Sequence, residues 1–303
     1  MAKDTQLSIK FLGSGSKGNC ALINAGGRFY LFDAGLSRKK IEKGLAEERL
    51  SLSDLDGIFI SHDHGDHVCG LEKILKKQKL PVITSQGTYN SLVSKGFDIS
   101  EAIFLKPDRE FEFDGTRFWP FSIPHDAAEP IGMRIERSGN ILGIASDIGH
   151  LTPSIFAHLS DCDILCLESN YDEEMLAGCS YPFWLKSRIR GPLGHLANSG
   201  TRGILSRLKK PLKNLFLIHL SQESNTPELV LENLEIIRKI ENLRETQILV
   251  ALQNEPSVTV SAAAQQNKVP RVVSDTSSLS VVLKPFQQRL STVPEFAGLI
   301  VAA

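Results

Sequence analysis

Along most of the chain, short apolar runs alternate with stretches of amphipathic helical periodicity, the pattern of an α/β fold. Strands are expected at residues 8–12, 21–24, 28–32, 57–61, 81–85, 103–105, 116–123, 132–136, 140–146, 164–168, 215–219 and 247–252. Helices are expected at residues 37–48, 68–79, 87–95, 153–159, 199–209 and 227–242. The last of these opens well: Thr226 can cap it, Pro227 suits the first helical position, and Glu228 faces the positive dipole end. From Asn254 the character changes, and residues 256–303 are rich in Ser, Val, Ala, Thr and Pro with sparse charge and no clean period. The expected organisation is one α/β domain over residues 1–253, followed by a tail or appended segment over 254–303 whose function is not legible.

Composition narrows the class without naming it. The 303 residues are 42% hydrophobic and 23% charged with a formal net charge of −1, so any nucleic-acid contact must come from a local patch. The stretch Met1-Ala2-Lys3-Asp4-Thr5-Gln6 has no apolar run of the kind a secretory signal needs. No run of about eighteen apolar residues suggests a membrane span. Cys20, Cys69, Cys162, Cys166 and Cys179 are odd in number and form no C-x-x-C pair, so they are expected to be reduced thiols in a cytoplasmic protein. Cys69 is close to the loop described next, but that loop has a full ligand set without it.

The candidate chemistry lies in Ser61-His62-Asp63-His64-Gly65-Asp66-His67, directly after the apolar run Gly57-Ile58-Phe59-Ile60. A strand ending there delivers the loop to a sheet edge. Alternation lets His62 and His64 point the same way, while Asp66 and His67 turn towards a second centre. Neutral imidazole and carboxylate hold zinc, manganese or iron at about 2.0–2.2 Å, and four such residues within six positions form a dense set. Three distant residues are similarly placed after apolar strands: His125, Asp147 and His219. Taken singly, His125 or Asp147 could be a turn residue and His219 a satisfied core histidine. Together with the loop they point to one site.

With these residues the sequence resembles the metallo-β-lactamase superfamily, whose His-x-His-x-Asp-His motif is matched by His62–His67, over roughly residues 7–253. The resemblance implies a four-layer αββα sandwich of two similar halves and two divalent metal ions, zinc or manganese. By motif matching, His62, His64 and His125 hold one ion, and Asp66, His67 and His219 the other, with Asp147 bridging. Asp33, in Tyr30-Leu31-Phe32-Asp33-Ala34-Gly35, matches the early Asp that supports the metal loop; an Asp before such a turn also has an ordinary structural reading.

Further segments resemble the YycJ/WalJ-like branch of DNA exonucleases: Leu12–Asn19, His125–Pro130, Glu168-Ser169-Asn170, Gly194-His195-Leu196-Ala197-Asn198, and His219-Leu220-Ser221 with Asn225. That resemblance implies a cytoplasmic 5′–3′ DNA exonuclease linked to replication-associated repair. Metal-activated hydroxide would attack a scissile phosphate, with Asp66 orienting or deprotonating the water. His195 is the candidate acid for the leaving oxygen, and Glu168 its orienting partner. Ser14, Ser16 and Asn19, in a Gly/Ser segment that lacks P-loop spacing, and Asn198 are candidate substrate contacts. His150 and His158 are expected to be surface or helix histidines.

Charge adds an independent observation. Between Met175 and Gln222 there is no Asp or Glu, yet Lys186, Arg188, Arg190, Arg202, Arg207, Lys209, Lys210 and Lys213 all fall there, with Tyr181, Phe183 and Trp184 at the start. Such a block suits phosphate tracking and base stacking, with Lys186, Arg188 and Arg190 as candidate contacts, although a solvated helix face explains the later lysines equally well. Two other functions stay open on sequence alone. One is a small-molecule hydrolase of the same fold acting on a thioester, lactone or cyclic phosphodiester. The other is a non-catalytic nucleic-acid-binding protein stabilised by metal.

Overall fold

The computed structural model describes residues 6–235, 239, 241–262 and 300–302. Its first half runs β1 (Leu7–Gly13), β2 (Cys20–Ala25), β3 (Arg28–Phe32), α1 (Arg38–Glu47), β4 (Gly57–Phe59), α2 (Gly65–Val68), α3 (Leu71–Leu75), β5 (Val82–Ser85), α4 (Gln86–Ser94) and β6 (Glu101–Leu105). The second half runs β7 (Phe111–Phe113), β8 (Thr116–Ser122), β9 (Ile131–Arg137), β10 (Asn140–Ala145), α5 (Pro153–Leu159), β11 (Ile164–Glu168), α6 (Glu173–Gly178), α7 (Phe183–Arg190), α8 (Asn198–Leu205), β12 (Asn214–Ile218), α9 (Pro227–Glu235) and β13 (Gln247–Val250). Two short strands follow, β14 (Val260–Ser261) and β15 (Ile300–Ala302).

The strands form two sheets, ordered β14-β1-β2-β3-β4-β5-β6-β15 and β13-β12-β11-β10-β9-β8-β7. Each half opens with antiparallel hairpins and continues with parallel strands joined through helices. Three hairpins turn in two residues at positive φ, Gly26-Gly27, Asp114-Gly115 and Ser138-Gly139, which matches the right-handed twist of the flanking strands. The apolar alternation sorts side chains into three layers of core. In β12, Phe216 and Ile218 enter the layer between the sheets, where Phe216 meets Phe11 at a ring distance of 5.1 Å. Leu215 and Leu217 face the opposite way, under the helices of the second half, and Ile41, Leu71 and Leu92 cover the first sheet from the other side. This is the expected αββα sandwich.

Most strand positions follow the sequence pattern, and the departures have local causes. β4 stops at Phe59 rather than residue 61, because the Ser61 N–H donates to Asp33 Oδ1 (2.8 Å) and no longer to a neighbouring strand. The helix expected at 68–79 is broken at Cys69-Gly70, where the Gly70 N–H donates to the Ala34 carbonyl (2.8 Å). β7, α6 and α7 were not expected; all are short. Beyond Asn254, the Ser257 N–H donates to the Phe11 carbonyl, and Val260 pairs with Ile9 on β1. Residues 263–299, most of the expected tail, lie outside the described residues, as do residues 236–238 of the helix expected to reach 242.

Candidate metal centre

The C-terminal ends of β3, β4, β8, β10, β11 and β12 meet at one edge of the sandwich. From them project Asp33, the 61–67 loop, His125, Asp147, Glu168 and His219. Asp33 (φ 64°), Asp147 (φ 58°) and His219 (φ 56°) adopt the left-handed conformation rare for side-chain-bearing residues. Strain of this kind concentrates where a chain must aim a functional group. Asp33 and Asp147 occupy matching places in the two halves, each just after the first strand of a parallel run.

Hydrogen bonds determine which imidazole nitrogen is available, because a carbonyl or carboxylate can only accept. His125 Nδ1 faces the Gly194 carbonyl (3.0 Å), so Nε2 carries the lone pair. His64 Nε2 faces the Asp126 carbonyl (3.2 Å), so its lone pair is on Nδ1. Those two lone-pair atoms lie 3.2 Å apart. His67 Nδ1 faces Asp33 Oδ2 at 2.7 Å. The Ser61 hydroxyl donates to the same carboxylate (3.0 Å), which leaves it to accept from His62 Nδ1. Buried His62 Nε2 and Asp147 Oδ2 have no hydrogen-bond partner among the described residues. Facing lone pairs and orphaned buried acceptors are what a bound cation satisfies, so the residues fit a divalent metal.

Taking one ligand atom from each residue, three groups have all their atoms within 4.8 Å of one another: His62, His64 and His125; Asp66, His67 and His219; and His62, His67 and Asp147. Asp147 faces both sides, with Oδ1 3.7 Å from His125 Nε2 and 3.4 Å from His219 Nε2, and Oδ2 3.3 Å from His67 Nε2. Burial opposes charge here, but neighbouring groups decide its sign. Burial would raise the Asp147 carboxyl, yet His219, His67, His62 and His195 hold it well below the usual range. Burial likewise disfavours the His219 imidazolium, but Asp147, Asp66 and Glu168 hold its pKa up to about 9. The carboxylates of Asp33 and Asp147 outweigh burial to raise His67 as well. His62 and His125 go the other way, lowered chiefly by burial.

A second histidine–carboxylate pair borders the cluster. His195 Nδ1 lies 2.8 Å from Glu168 Oε1, and Glu168 Oε2 accepts from the Ile148 (2.5 Å) and Leu196 (3.2 Å) N–H groups. The His195 ring stacks on that of His219 at 5.3 Å. Glu168 and His195, paired in the sequence reading, are thus hydrogen-bond partners. Glu168, His195, His219 and Asp147 also form a fourth potential ligand group.

The expected substrate contacts divide. Ser14, Asn19 and Asn198 are buried and engaged with other protein groups. Ser14 Oγ accepts from the His219 N–H (2.9 Å) and donates to Asn19 Oδ1. Asn19 Nδ2 reaches Asp66 Oδ2 (3.3 Å) and lies 3.2 Å from His67 Nε2, and Asn198 pairs with Asn225 and Ser169. Ser16 is exposed. Lys186, Arg188 and Arg190 lie on α7 at the rim, where the Arg188 guanidinium makes a bidentate pair with Asp126 (2.6 and 2.8 Å). Four others of the basic block lie elsewhere: Lys210 and Lys213 pair with Asp163, and Arg207 and Lys209 lie over Phe156. Among the remaining residues considered, Cys69 donates to the Gly35 carbonyl (2.8 Å) and all five cysteines are free. His150 is exposed, and His158 stacks on Phe121 in α5.

Sequence reasoning missed Asp63. It faces away from the histidines on either side of it and is bound by Ser91 Oγ (2.6 Å), the Lys95 ammonium and the Ala128 N–H (3.0 Å). It thereby ties the metal loop to α4 and to the segment carrying His125. The alternation that pointed His62 and His64 inward was the available signal.

A His/Asp cluster of this kind at the strand-end edge of an αββα sandwich defines a metal-dependent hydrolase of the metallo-β-lactamase fold. The profile of the β-lactamase superfamily domain matches residues 28–220, and the chain belongs to that superfamily. It is 31% identical over 232 residues to exodeoxyribonuclease WalJ of Streptococcus pneumoniae serotype 2, covering 74% of this chain and 86% of that protein. It is 30% identical over 227 residues to exodeoxyribonuclease YycJ of Bacillus anthracis, with the same coverage. Among solved structures, the metallo-β-lactamase fold protein YhfI from Bacillus subtilis superposes with a TM-score of 0.66 at 14% identity, over 85% of this chain and 99% of that one. Among the described residues, no helix is long and apolar enough to cross a membrane.

Proposed function

We propose that this chain is a cytoplasmic dinuclear metal-dependent phosphodiesterase that removes nucleotides from the 5′ end of DNA. The observation that carries the reading is the Asp147 carboxylate facing two ligand trios at once, His62/His64/His125 and Asp66/His67/His219. DNA as the substrate is supported by the names of the relatives, and the 5′–3′ direction by the branch whose motifs the sequence resembles. When bound, two divalent ions, zinc or manganese, supply Lewis acidity towards water and phosphate.

The chain's own residues supply orientation and proton transfer. Burial would raise the Asp66 carboxyl, but hydrogen bonds from His219 and His67 hold it far below the usual carboxylate range. Held ionised, the carboxylate can accept a hydrogen bond from the attacking water and orient it. Glu168 accepts from His195 Nδ1 and fixes the ring, so that the imidazolium form, with both nitrogens protonated, can give its Nε2 proton to the leaving oxygen and return to the neutral ring. The test is incubation of purified protein with Mn²⁺ or Zn²⁺ on end-labelled single- and double-stranded DNA and RNA. Stepwise loss from the 5′ end of DNA is expected; turnover of a small ester with no cleavage of any polymer would overturn the proposal.

A further inference from the structure

Asp63 stands between His62 and His64, yet its buried carboxylate joins none of the ligand groups. Donors from two other parts of the chain fill it instead. Oδ2 accepts from Ser91 Oγ (2.6 Å), inside α4, and from the Lys95 ammonium at the end of that helix. Oδ1 accepts from the N–H of Ala128 (3.0 Å), in the segment that follows His125. Lys95 also donates to the Asp63 carbonyl (2.9 Å), so side chain and main chain of the loop are both held. The start of α4 grips the same distant segment. There Thr88 Oγ1 donates to the Ala128 carbonyl (2.7 Å), Ser85 Oγ to the Glu129 carbonyl (2.7 Å) and the Gly87 N–H to the Glu129 carboxylate (2.6 Å). The segment after His125 is thus fixed to α4, and Asp63 is the side chain that fixes the metal loop to both.

This fastening controls the separation of two imidazoles that come from different halves of the fold. His64 follows β4 and His125 follows β8, and their facing nitrogens, Nδ1 and Nε2, lie 3.2 Å apart. The carbonyl that turns His64, that of Asp126, belongs to the same segment as Ala128. The other ligand trio is held by different groups: His67 by Asp33, Asp66 by Asn19, and the His219 main chain by Ser14. Among the described residues, none of those three holders is hydrogen-bonded to Asp63 or its partners. We infer that Asp63 is a positioning residue for one ion of the pair: it holds His64 opposite His125, and so sets the affinity of the His62/His64/His125 trio without bearing on the Asp66/His67/His219 trio. The position calls for a carboxylate, because every partner donates and an ionised carboxylate only accepts. Asparagine has the same size but must turn its NH₂ towards either the Lys95 ammonium or the Ala128 N–H. The inference rests on the dinuclear reading above and names which half of the centre depends on α4.

The test compares Asp63→Asn, the double substitution Asp63→Asn with Lys95→Met, and Ser91→Ala with the wild type in the full chain. Zn²⁺ affinities are read by competition with a chromophoric chelator. The two sites are told apart by the NMR resonances of the cadmium-loaded protein, the His62/His64/His125 signal being the one that His64→Ala removes. The thermal midpoint of the metal-free protein is measured alongside. Asp63→Asn is expected to raise the Kd of one ion about 10- to 100-fold, the usual cost of losing a group that orients ligands, and to leave the other within about twofold. The cadmium signal that shifts or vanishes should be the one assigned through His64. The double variant should recover most of the loss: the amide oxygen keeps the Ala128 N–H while the NH₂ donates to the Ser91 hydroxyl, which can accept as well as donate. Ser91→Ala, which removes one donor, should weaken the same ion by less, and it decides the matter if the asparagine protein does not fold. A merely structural role predicts instead a lower metal-free midpoint with both ions weakened alike. That result, unchanged affinities, loss confined to the other signal, or no recovery in the double variant would each overturn the proposal. If the wild type takes up a single ion, the dinuclear reading fails; the role of Asp63 then stands only if Asp63→Asn and His64→Ala both weaken that ion or both spare it. None of these readouts uses hydrolysis, so failure to cleave DNA would strike the proposed activity alone.

Discussion

At the residue scale, the site depends on which nitrogen of each histidine is left free. Asp33, Ser61, Gly194 and Asp126 each engage one ring atom and turn the other inward. His195 differs, because its partner is Glu168, and Asp147 differs in facing both trios. The two therefore predict opposite phenotypes. Asp147→Ala should lose metal and all hydrolysis while the circular dichroism spectrum is retained. His195→Gln should keep its metal content, measured by elemental analysis, while kcat falls about 10²- to 10⁴-fold, the usual range for a lost general acid. Metal loss in the His195 variant would make it a ligand, as its membership of a fourth ligand group allows. The residue types of the cluster were legible in sequence because liganding chemistry limits them to His and Asp. The buried hydrogen bonds of Ser14, Asn19 and Asn198 were not, because a small polar residue suits a phosphate contact and a buried hydrogen bond equally well.

At the scale of elements, parallel strands carry the site to one edge, and loops bring its parts into register. The metal loop is tied to the β3 end, where the Asn19 N–H donates to the Asp66 carbonyl and the Gly35 N–H to the Asn19 carbonyl, both at 2.8 Å. A methyl group on Gly35 would run into the Asp66 carbonyl and lie 2.7 Å from the Asn19 nitrogen. Gly35→Ala is therefore expected to destabilise the fold by about 1–3 kcal/mol, as overpacking typically does, and to weaken metal binding with it. A shifted denaturation midpoint and a metal titration check the two effects; wild-type values in both would show that the loop tolerates displacement. Strands were legible because burial on both faces leaves long apolar runs, as in Leu215-Phe216-Leu217-Ile218. Helices α6 and α7 were not, because each spans eight residues or fewer and α7 turns aromatic and basic residues outward in place of a polar stripe.

At the scale of the whole molecule, metal binding and folding stability are linked through the protons the cluster holds. Metal-free His219 titrates near pH 9, above the 6.5 of an unfolded histidine. Its contribution to metal-free stability is therefore fully present below about pH 6.5 and is lost as pH rises through 9. Metal binding needs the same nitrogen unprotonated, so it strengthens over the same interval. A metal present at about 1,000 times its Kd adds about 4 kcal/mol, or about 6 °C in Tm for a chain of 303 residues. Scanning calorimetry with Zn²⁺ and with EDTA should show that gain larger at pH 9 than at pH 6; an equal or reversed difference would separate His219 from the metal. The sequence by itself determined the layered architecture and the His and Asp residues that meet in the cluster, because hydrophobic period and liganding residue types are both written locally along the chain. Only the tertiary structure decided that Asp147 faces both trios, that Asp63 and Asn19 lock the loop, and that half of the basic block lies away from the site. Those are contacts between residues distant in the chain, and the directions of their side chains are fixed by how the two sheets pack.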